Sequence, residues 1–166
     1  CYITTKIAFA NAIGDLCLHV GAEEDKVLDA VGGDSRVGNK YFKYGYGYGG
    51  PCFPRDNRAL GIFSKRAGRE MPFSKITDKS NKIHLQNQVE DFCKSNQDKT
   101  KEVVIDSVSY KKGSDIIEES QKLLFASELV DRGYNVKVVD SVNVIKNVKE
   151  VFKNKFTYEE INENSK

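Results

Sequence analysis

The sequence lacks the features that define several protein classes. It has no run of about 18 apolar residues, the length needed to cross a bilayer as a helix. Lys6, Asn11 and Asp15 interrupt the apolar start, so this segment does not resemble a secretory signal. The net charge is only +2, from 26 basic and 24 acidic side chains, which excludes a globally basic nucleic-acid binder. The sequence therefore predicts no membrane and no nucleic-acid partner.

Metal-binding and disulfide patterns are also absent. The 166 residues include four widely spaced cysteines with no Cys-x-x-Cys pair and only two histidines, His19 and His84. A zinc site requires closely spaced ligands, and a disulfide framework is typical of smaller secreted chains. We therefore expect no metal, free thiols and a location in the reducing cytoplasm.

The first part of the chain has the pattern of a helical domain. Apolar residues recur at three- and four-residue steps from Ile3 to Val20, which predicts a helix ended by Gly21. A shorter helix is predicted at 23–31, an ordered glycine-rich loop at 34–54, and a helix at 55–67 with Pro54 at its first position. A long helix should cover 72–94, with His84 exposed among polar neighbours.

The remainder has a different pattern. A polar linker at 95–99 precedes a strand at 102–105, a helix at 116–132 and a second strand at 135–140. This order predicts a parallel β-α-β unit with a right-handed crossover. A further helix is expected at 144–152, followed by a frayed polar end. The predicted fold class is mixed α and α/β, with a helical domain at 1–95 and a partial parallel α/β unit at 96–166.

Charge is unevenly distributed along the chain. Residues 36–82 carry eleven basic and three acidic side chains, a local charge of +8, so the rest of the chain sums to −6. This asymmetry favours an anionic ligand near the glycine-rich loop. For the basic residues beyond Arg58, a solvated helix face that carries lysines is an equally good interpretation. Duplex binding is a third interpretation, and it predicts a steep dependence of affinity on salt.

Cys52 is the strongest candidate for chemistry. It lies between a glycine-rich segment and a predicted helix start, where the helix N-terminus and Arg55 both favour a thiolate. The alternative, a small buried hydrophobe, suits Cys17 and Cys93 better because they lie on apolar helix faces. A thiol protease is excluded by the lack of a histidine partner. The glycines also lack the Gly-x-Gly-x-x-Gly spacing of a dinucleotide-binding turn.

Residues 47–56 read Gly-Tyr-Gly-Gly-Pro-Cys-Phe-Pro-Arg-Asp, and residues 34–38 read Asp-Ser-Arg-Val-Gly. Together they closely resemble the active-site segment of the UDP-glucose/GDP-mannose dehydrogenases, in a form nearer to the UDP-glucose enzymes, and the similarity covers about residues 1–140. The resemblance implies that 1–95 is the central dimerisation domain with the active-site cysteine. It implies that 96–166 is part of a Rossmann-like UDP-binding domain.

The resemblance also implies a reaction and its residues. A UDP-sugar, of the UDP-glucose type, is oxidised at its C6 alcohol to a carboxylate through a cysteine thiohemiacetal and thioester, with NAD reduced twice. A homodimer is implied because one matching arginine reaches the partner subunit's substrate site. The implied roles are catalytic for Cys52 and Asp56, substrate-binding for Arg36, Tyr41, Gly49 and Lys111, and cofactor-binding for Arg55.

The sequence departs from the family pattern in two ways. The family's NAD-binding domain has no counterpart in these residues, so we expect the 166 residues alone to be inactive. Glu118 stands where the family usually has an arginine in an Asp-x-Arg-x-Ser pattern, which reverses a charge. The alternative interpretation is a non-catalytic module that binds nucleotide sugars or dimerises without a redox domain.

Overall fold

The computed structural model describes residues 1–161, which form two compact units. The first unit contains residues 1–48 and 52–88, and the second contains residues 49–51 and the chain from Val89 onward. None of the helices in this part of the chain combines the length and the apolar character needed to cross a bilayer.

The first unit is entirely helical apart from its connecting loops. Its helices are α1 (Tyr2–Val20), α2 (Glu24–Gly32), α3 (Phe53–Arg66) and α4 (Pro72–Ser95), the last of which extends into the second unit. The end of α1 follows the prediction, because Gly21 adopts φ 75° and its N–H group caps the helix. Helix α3 begins two residues earlier than predicted and includes Pro54 in its first turn.

The interior of the first unit is only partly apolar. Ala10, Leu28 and Phe42 form a small buried core. Beside it, the hydroxyl group of Thr4 donates to the Asn57 side-chain oxygen at 3.2 Å, and the amide group of Asn57 donates to the Ser74 carbonyl at 2.9 Å. These contacts join α1, α3 and α4 through buried polar groups, each of which has a partner as burial requires.

The second unit is built around a parallel sheet. Its strands are β1 (Glu102–Asp106), β2 (Asn135–Ser141) and β3 (Thr157–Ile161), with β2 in the centre. Helices α5 (Gln121–Asp131) and α6 (Val142–Phe152) connect them. The register pairs Val103 with Val136 and Ile105 with Val138, so these residues share one face of the sheet.

Two predictions for the second unit are wrong, although the mixed α and α/β fold class is confirmed. Residues 157–161 form a third strand instead of a frayed end, and residues 162–166 of that prediction lie outside the described part of the chain. The helix predicted from residue 116 begins at Gln121 instead. Glu119 has φ 47°, which is incompatible with a helix, and Ser120 caps the helix that follows.

The Ser120 cap provides a test of this part of the fold. Ser120 is buried, its hydroxyl group donates to the Val108 carbonyl at 2.6 Å, and its oxygen accepts the Leu123 N–H group. We expect Ser120→Ala to lower the free energy of unfolding by about 1–2 kcal/mol, measured by urea denaturation. Ser141 is the N-cap residue of α6, but its side chain makes no capping hydrogen bond. Ser141→Ala should therefore change stability by less than about 0.5 kcal/mol, and equal losses in the two variants would contradict this assignment.

Candidate active-site loop and its relatives

Arg36 lies in a turn that Lys6 and Asp34 stabilise. The guanidinium group of Arg36 binds Asp34 through Nε at 3.0 Å and Nη2 at 2.6 Å, and its side chain is 87% exposed. This hydrogen bond and the Arg36 backbone N–H group lower the pKa of the Asp34 carboxyl, and the same pair raises the pKa of Arg36. The ammonium group of Lys6 donates to the carbonyls of Val37 and Gly38. The turn is therefore fixed while the cation of Arg36 faces solvent.

Tyr41 lies close to the start of α3. Its ring is 55% exposed and meets the Phe53 ring edge-on, with the centroids 6.2 Å apart. Its backbone has φ 60°, which is unusual for a residue other than glycine. The structure thus places Tyr41 beside the residue that follows Cys52.

The peptide groups of Gly45 are held by side chains of α1 and α4, of which Asn11 and His84 are buried. Its N–H group donates to Asn11 Oδ1 of α1 at 3.1 Å. Its carbonyl lies 2.7 Å from Nε2 of His84 and 3.2 Å from the amide nitrogen of Gln88, both on α4. The loop has no strand partner at this point, and helix side chains supply the hydrogen bonds that its backbone requires.

Tyr48 is fixed in a similar way. The side chain of Asn81, also on α4, accepts from the Tyr48 N–H group at 3.0 Å and donates to the Tyr48 carbonyl at 2.9 Å. Both residues are buried. Helices α1 and α4 therefore determine the path of the loop that precedes Cys52.

Gly49 and Gly50 belong to the second unit and pack against its residues 110–119. The N–H group of Gly50 donates to the Glu118 carbonyl at 3.0 Å, and Gly50 has φ 81°. A Cβ atom on Gly50 would overlap the Tyr110 ring, and one on Gly49 would overlap the Glu119 carbonyl oxygen. Both positions therefore require glycine because of the close approach. The Glu118 contact is made by its backbone, so the charge reversal at this position does not alter it.

Cys52 is exposed at the first turn of α3. It occupies the N-cap position, and its carbonyl accepts the Asp56 N–H group at 2.8 Å. Cys17, in contrast, is buried, and Cys93 is partly buried. The structure therefore places Cys52 as an exposed thiol at the junction between the loop and the N-terminus of α3.

Arg55 and Asp56 form an exposed ion pair on the first turn of α3. Arg55 Nε donates to Asp56 Oδ1 at 2.9 Å, and both side chains are about two-thirds exposed. Lys111 lies in the second unit, exposed, with its ammonium nitrogen 5.8 Å from the centroid of the Tyr110 ring. Tyr110 also contacts Gly50, so the structure brings Gly50 and the residue beside Lys111 together.

The sequence interpretation misses the side chains that hold the loop. The expectation that His84 is exposed is wrong, because its side chain is only 2% exposed. Thr77, Asn81, His84 and Gln88 follow one another at steps of four, three and four residues on α4. That spacing places them on one helix face, a pattern that is visible only when polar residues are counted along with apolar ones.

Metal ligands and cavities also bear on the site. Among residues 1–161, no three histidine, cysteine, aspartate or glutamate side chains are grouped so that they could hold a metal ion. The second unit has a groove of about 500 Å³ between the segment that contains Glu118 and helix α6. None of the residues lining this groove is among the site residues expected from the sequence.

Comparisons with known proteins place this geometry in a family. Residues 1–83 match the model of the UDP-glucose/GDP-mannose dehydrogenase family, central domain. A UDP-glucose 6-dehydrogenase from Bacillus subtilis (strain 168) is 33% identical over 148 residues, which cover 86% of this chain and 31% of that protein. A UDP-glucose 6-dehydrogenase from Rickettsia prowazekii is 30% identical over 145 residues, covering 86% of this chain and 33% of that protein.

The solved structures agree with the sequence matches. A UDP-glucose dehydrogenase from Pyrobaculum islandicum superposes with a TM-score of 0.86 at 31% identity, covering 96% of this chain and 37% of that one. A GDP-mannose dehydrogenase from Pseudomonas aeruginosa gives a TM-score of 0.62 at 27% identity, covering 96% of this chain and 38% of that one. The chain thus spans about a third of the length of these relatives. It belongs to the UDP-glucose/GDP-mannose dehydrogenase family.

Proposed function

We propose that this chain is part of an NAD-dependent UDP-sugar 6-dehydrogenase of the UDP-glucose type. Its residues 1–95 would form the central dimerisation domain, and residues 96–166 part of the UDP-binding domain. The observation that carries the proposal is the setting of Cys52, an exposed thiol at the start of α3. The loop before it has its peptide groups held by buried side chains.

Cys52 would capture the aldehyde formed from the C6 alcohol. Its thiolate adds to the carbonyl carbon, the oxygen takes a proton, and a thiohemiacetal forms. Loss of a hydride and a proton leaves a thioester, which water cleaves to a carboxylate and the free thiol. Asp56 lies one helical turn after Cys52, on the same side of α3, where its carboxylate can orient that water.

NAD would accept the hydride in each of the two oxidations. We assign Arg55 to its pyrophosphate because a guanidinium group offers a fork of donors to phosphate oxygens and this one is exposed. Arg36, Tyr41, Gly49 and Lys111 are assigned to the UDP-sugar. Exposure of the Arg36, Tyr41 and Lys111 side chains leaves them available for a ligand.

A homodimer is part of the proposal. Tyr2, Phe9 and Leu16 recur at seven-residue steps on α1 and are 76%, 54% and 57% exposed, which makes an apolar stripe along the helix. A stripe of this kind is typical of a surface that another chain covers. The exposed cation of Arg36 could then reach a second copy. All four cysteines are free, which supports a reducing cytoplasm as the location.

The proposal is tested by alkylating the cysteines of the full chain with iodoacetamide at pH 7 and measuring each site by mass spectrometry. Each rate is compared with the rate of the same cysteine in urea, which corrects for differences in reactivity that arise from the neighbouring sequence. We expect Cys52 to react severalfold faster in the folded chain than in the unfolded chain, because it is exposed at the N-terminus of a helix, a position typical of reactive cysteines. Cys17 should react more slowly when folded because it is buried.

Ligands separate the two functional interpretations. UDP-glucose should slow the alkylation of Cys52 more than UDP does, because the sugar end covers the sulfur. Equal folded and unfolded rates at Cys52, together with equal protection by UDP and UDP-glucose, would favour the non-catalytic nucleotide-sugar-binding module. Equal rates with no protection by either ligand would contradict the site assignment altogether.

A further inference from the structure

His84 lies in the interior of the first unit between a carboxylate and a backbone carbonyl. Its Nδ1 is 2.8 Å and 3.0 Å from the two oxygens of Asp15 on α1. Its Nε2 is 2.7 Å from the carbonyl oxygen of Gly45. The His84 side chain is 2% exposed and the Asp15 side chain 12% exposed, so water does not replace these partners.

The partners determine how many protons the imidazole carries. A carbonyl oxygen can only accept, so Nε2 of His84 must carry hydrogen and donate to Gly45. On the other side of the ring, Asp15 also accepts from the Tyr44 hydroxyl group at 3.1 Å and from the Asn87 amide group at 2.9 Å. Both carboxylate oxygens are thus engaged as hydrogen-bond acceptors. A carboxylate can only accept, so Nδ1 must also donate.

We infer that His84 is an imidazolium whose two N–H groups join Asp15 to the Gly45 carbonyl and thereby position the loop that leads to Cys52. The part about Cys52 rests on the proposed function, whereas the charge state and the loop contact do not. The pair of Asp15 and His84 acts at Gly45, seven residues before Cys52. His84 is therefore a positioning residue and does not touch the reacting atoms.

The surroundings of the imidazole support a single positive charge. The titratable groups that face it are Asp15 from α1 and Tyr44 from the loop, whose ring packs edge-on against it at 5.4 Å between centroids. The residues that share its two partners are neutral: Asn87 donates to Asp15, and Gln88 donates to the Gly45 carbonyl. The Asp15 carboxylate compensates the charge, and a buried charge with a hydrogen-bonded partner is the arrangement that proteins tolerate.

The charge state can be measured directly on the unmodified chain. The nitrogen-15 shifts of the two histidine rings are recorded between about pH 6 and pH 8, where an ordinary imidazole loses its proton. His19 is exposed and serves as the internal control. We expect both ring nitrogens of His84 to carry hydrogen throughout this range. Loss of hydrogen from either nitrogen of His84 within the range, or a neutral ring at the lower pH, would overturn the inference.

The positioning role is tested with Asp15→Asn, which keeps the size and removes the charge. The amide group introduced by this substitution can donate to Nδ1, so His84 should become neutral with hydrogen on Nε2 only. The Nε2–H group still donates to the Gly45 carbonyl, but a neutral donor binds it more weakly than a charged one, so we expect hydrogen exchange at the amides of Gly45 and Tyr48 to accelerate about tenfold. Unchanged exchange at these amides, with the ring neutralised, would overturn the positioning role.

Alkylation of Cys52 in the same variant separates this inference from the proposed function. If the loop positions the sulfur, the folded rate at Cys52 should fall towards the unfolded rate in Asp15→Asn. A wild-type Cys52 with no enhanced rate would reject the proposed function, while the exchange and nitrogen-15 results would still decide the His84 inference.

Discussion

Asp15→Ala should lower the free energy of unfolding by about 3–5 kcal/mol, the loss typical of breaking a buried ion pair by removing one partner. Without the carboxylate, the Nδ1 N–H group of His84, the Tyr44 hydroxyl group and the Asn87 amide group each lose an acceptor. The His84 side chain is only 2% exposed, so water cannot readily replace the lost acceptor at its Nδ1 N–H group. Domains of this size have only about 5–15 kcal/mol of stability in total, so the variant should be close to unfolding.

Urea denaturation followed by circular dichroism measures this loss, and the chain offers a matched control. Asp91 also lies against a basic side chain, 3.0 Å from Lys94 on α4, but it is 56% exposed. Solvent screens such a pair, and Asp91→Ala should therefore lower stability by only a small part of the loss in Asp15→Ala. Similar losses in the two variants would mean that the Asp15 contacts do not contribute as buried hydrogen bonds.

Features with a local signal could be predicted from the sequence. Gly21 ends α1 because glycine adopts the left-handed conformation that a helix end requires, and this needs no knowledge of the rest of the chain. Strands β1 and β2 are short apolar runs on either side of an amphipathic helix, and that order is sufficient to predict their parallel pairing. The position of Cys52 at a helix start was also predictable from a local signal, because proline is common in the first turn of a helix and Pro54 lies there.

Strand β3 has no such signal. Its sequence, Thr-Tyr-Glu-Glu-Ile, is mostly exposed, and Tyr158 is its one half-buried residue. The strand is held by its backbone pairing with β2, which also places Lys137 within 3.5 Å of Glu159. An edge strand with polar side chains cannot be distinguished from a loop by hydrophobic pattern alone, because the contacts that order it belong to the neighbouring strand.

The polar interior of the first unit was not predictable by the same reasoning. Residues such as Asn81 and His84 interrupt the apolar pattern of α4, which suggests a solvated face. They are buried because the glycine-rich loop passes over them and has backbone groups that need partners. Only the folded path of residues 45–48 reveals that need. The motif thus led to the residues proposed for the chemistry, and the structure shows the side chains that hold the loop.

Gly49→Ala should release residues 49–51 from the rest of the second unit. The added Cβ atom would overlap the Glu119 carbonyl oxygen and lie 3.1 Å from the carbonyl carbon. These are backbone atoms, which cannot rotate away as a side chain can, and Glu119 already has φ 47°. Overpacking of this kind costs about 1–3 kcal/mol. We therefore expect hydrogen exchange at the Gly50 amide, which donates to the Glu118 carbonyl, to accelerate about tenfold.

Gly45→Ala is the matched control in the same loop. A Cβ atom at Gly45 would meet nothing within 4 Å, and this glycine does not have the positive φ that strains other residues. It should leave exchange at Gly50 unchanged and could raise stability slightly, because alanine restricts the unfolded chain. Gly49 also lacks a positive φ, so the difference between the two variants isolates the close approach to Glu119 from backbone strain. Equal exchange rates at Gly50 in both variants would show that residues 118–119 do not fix this segment.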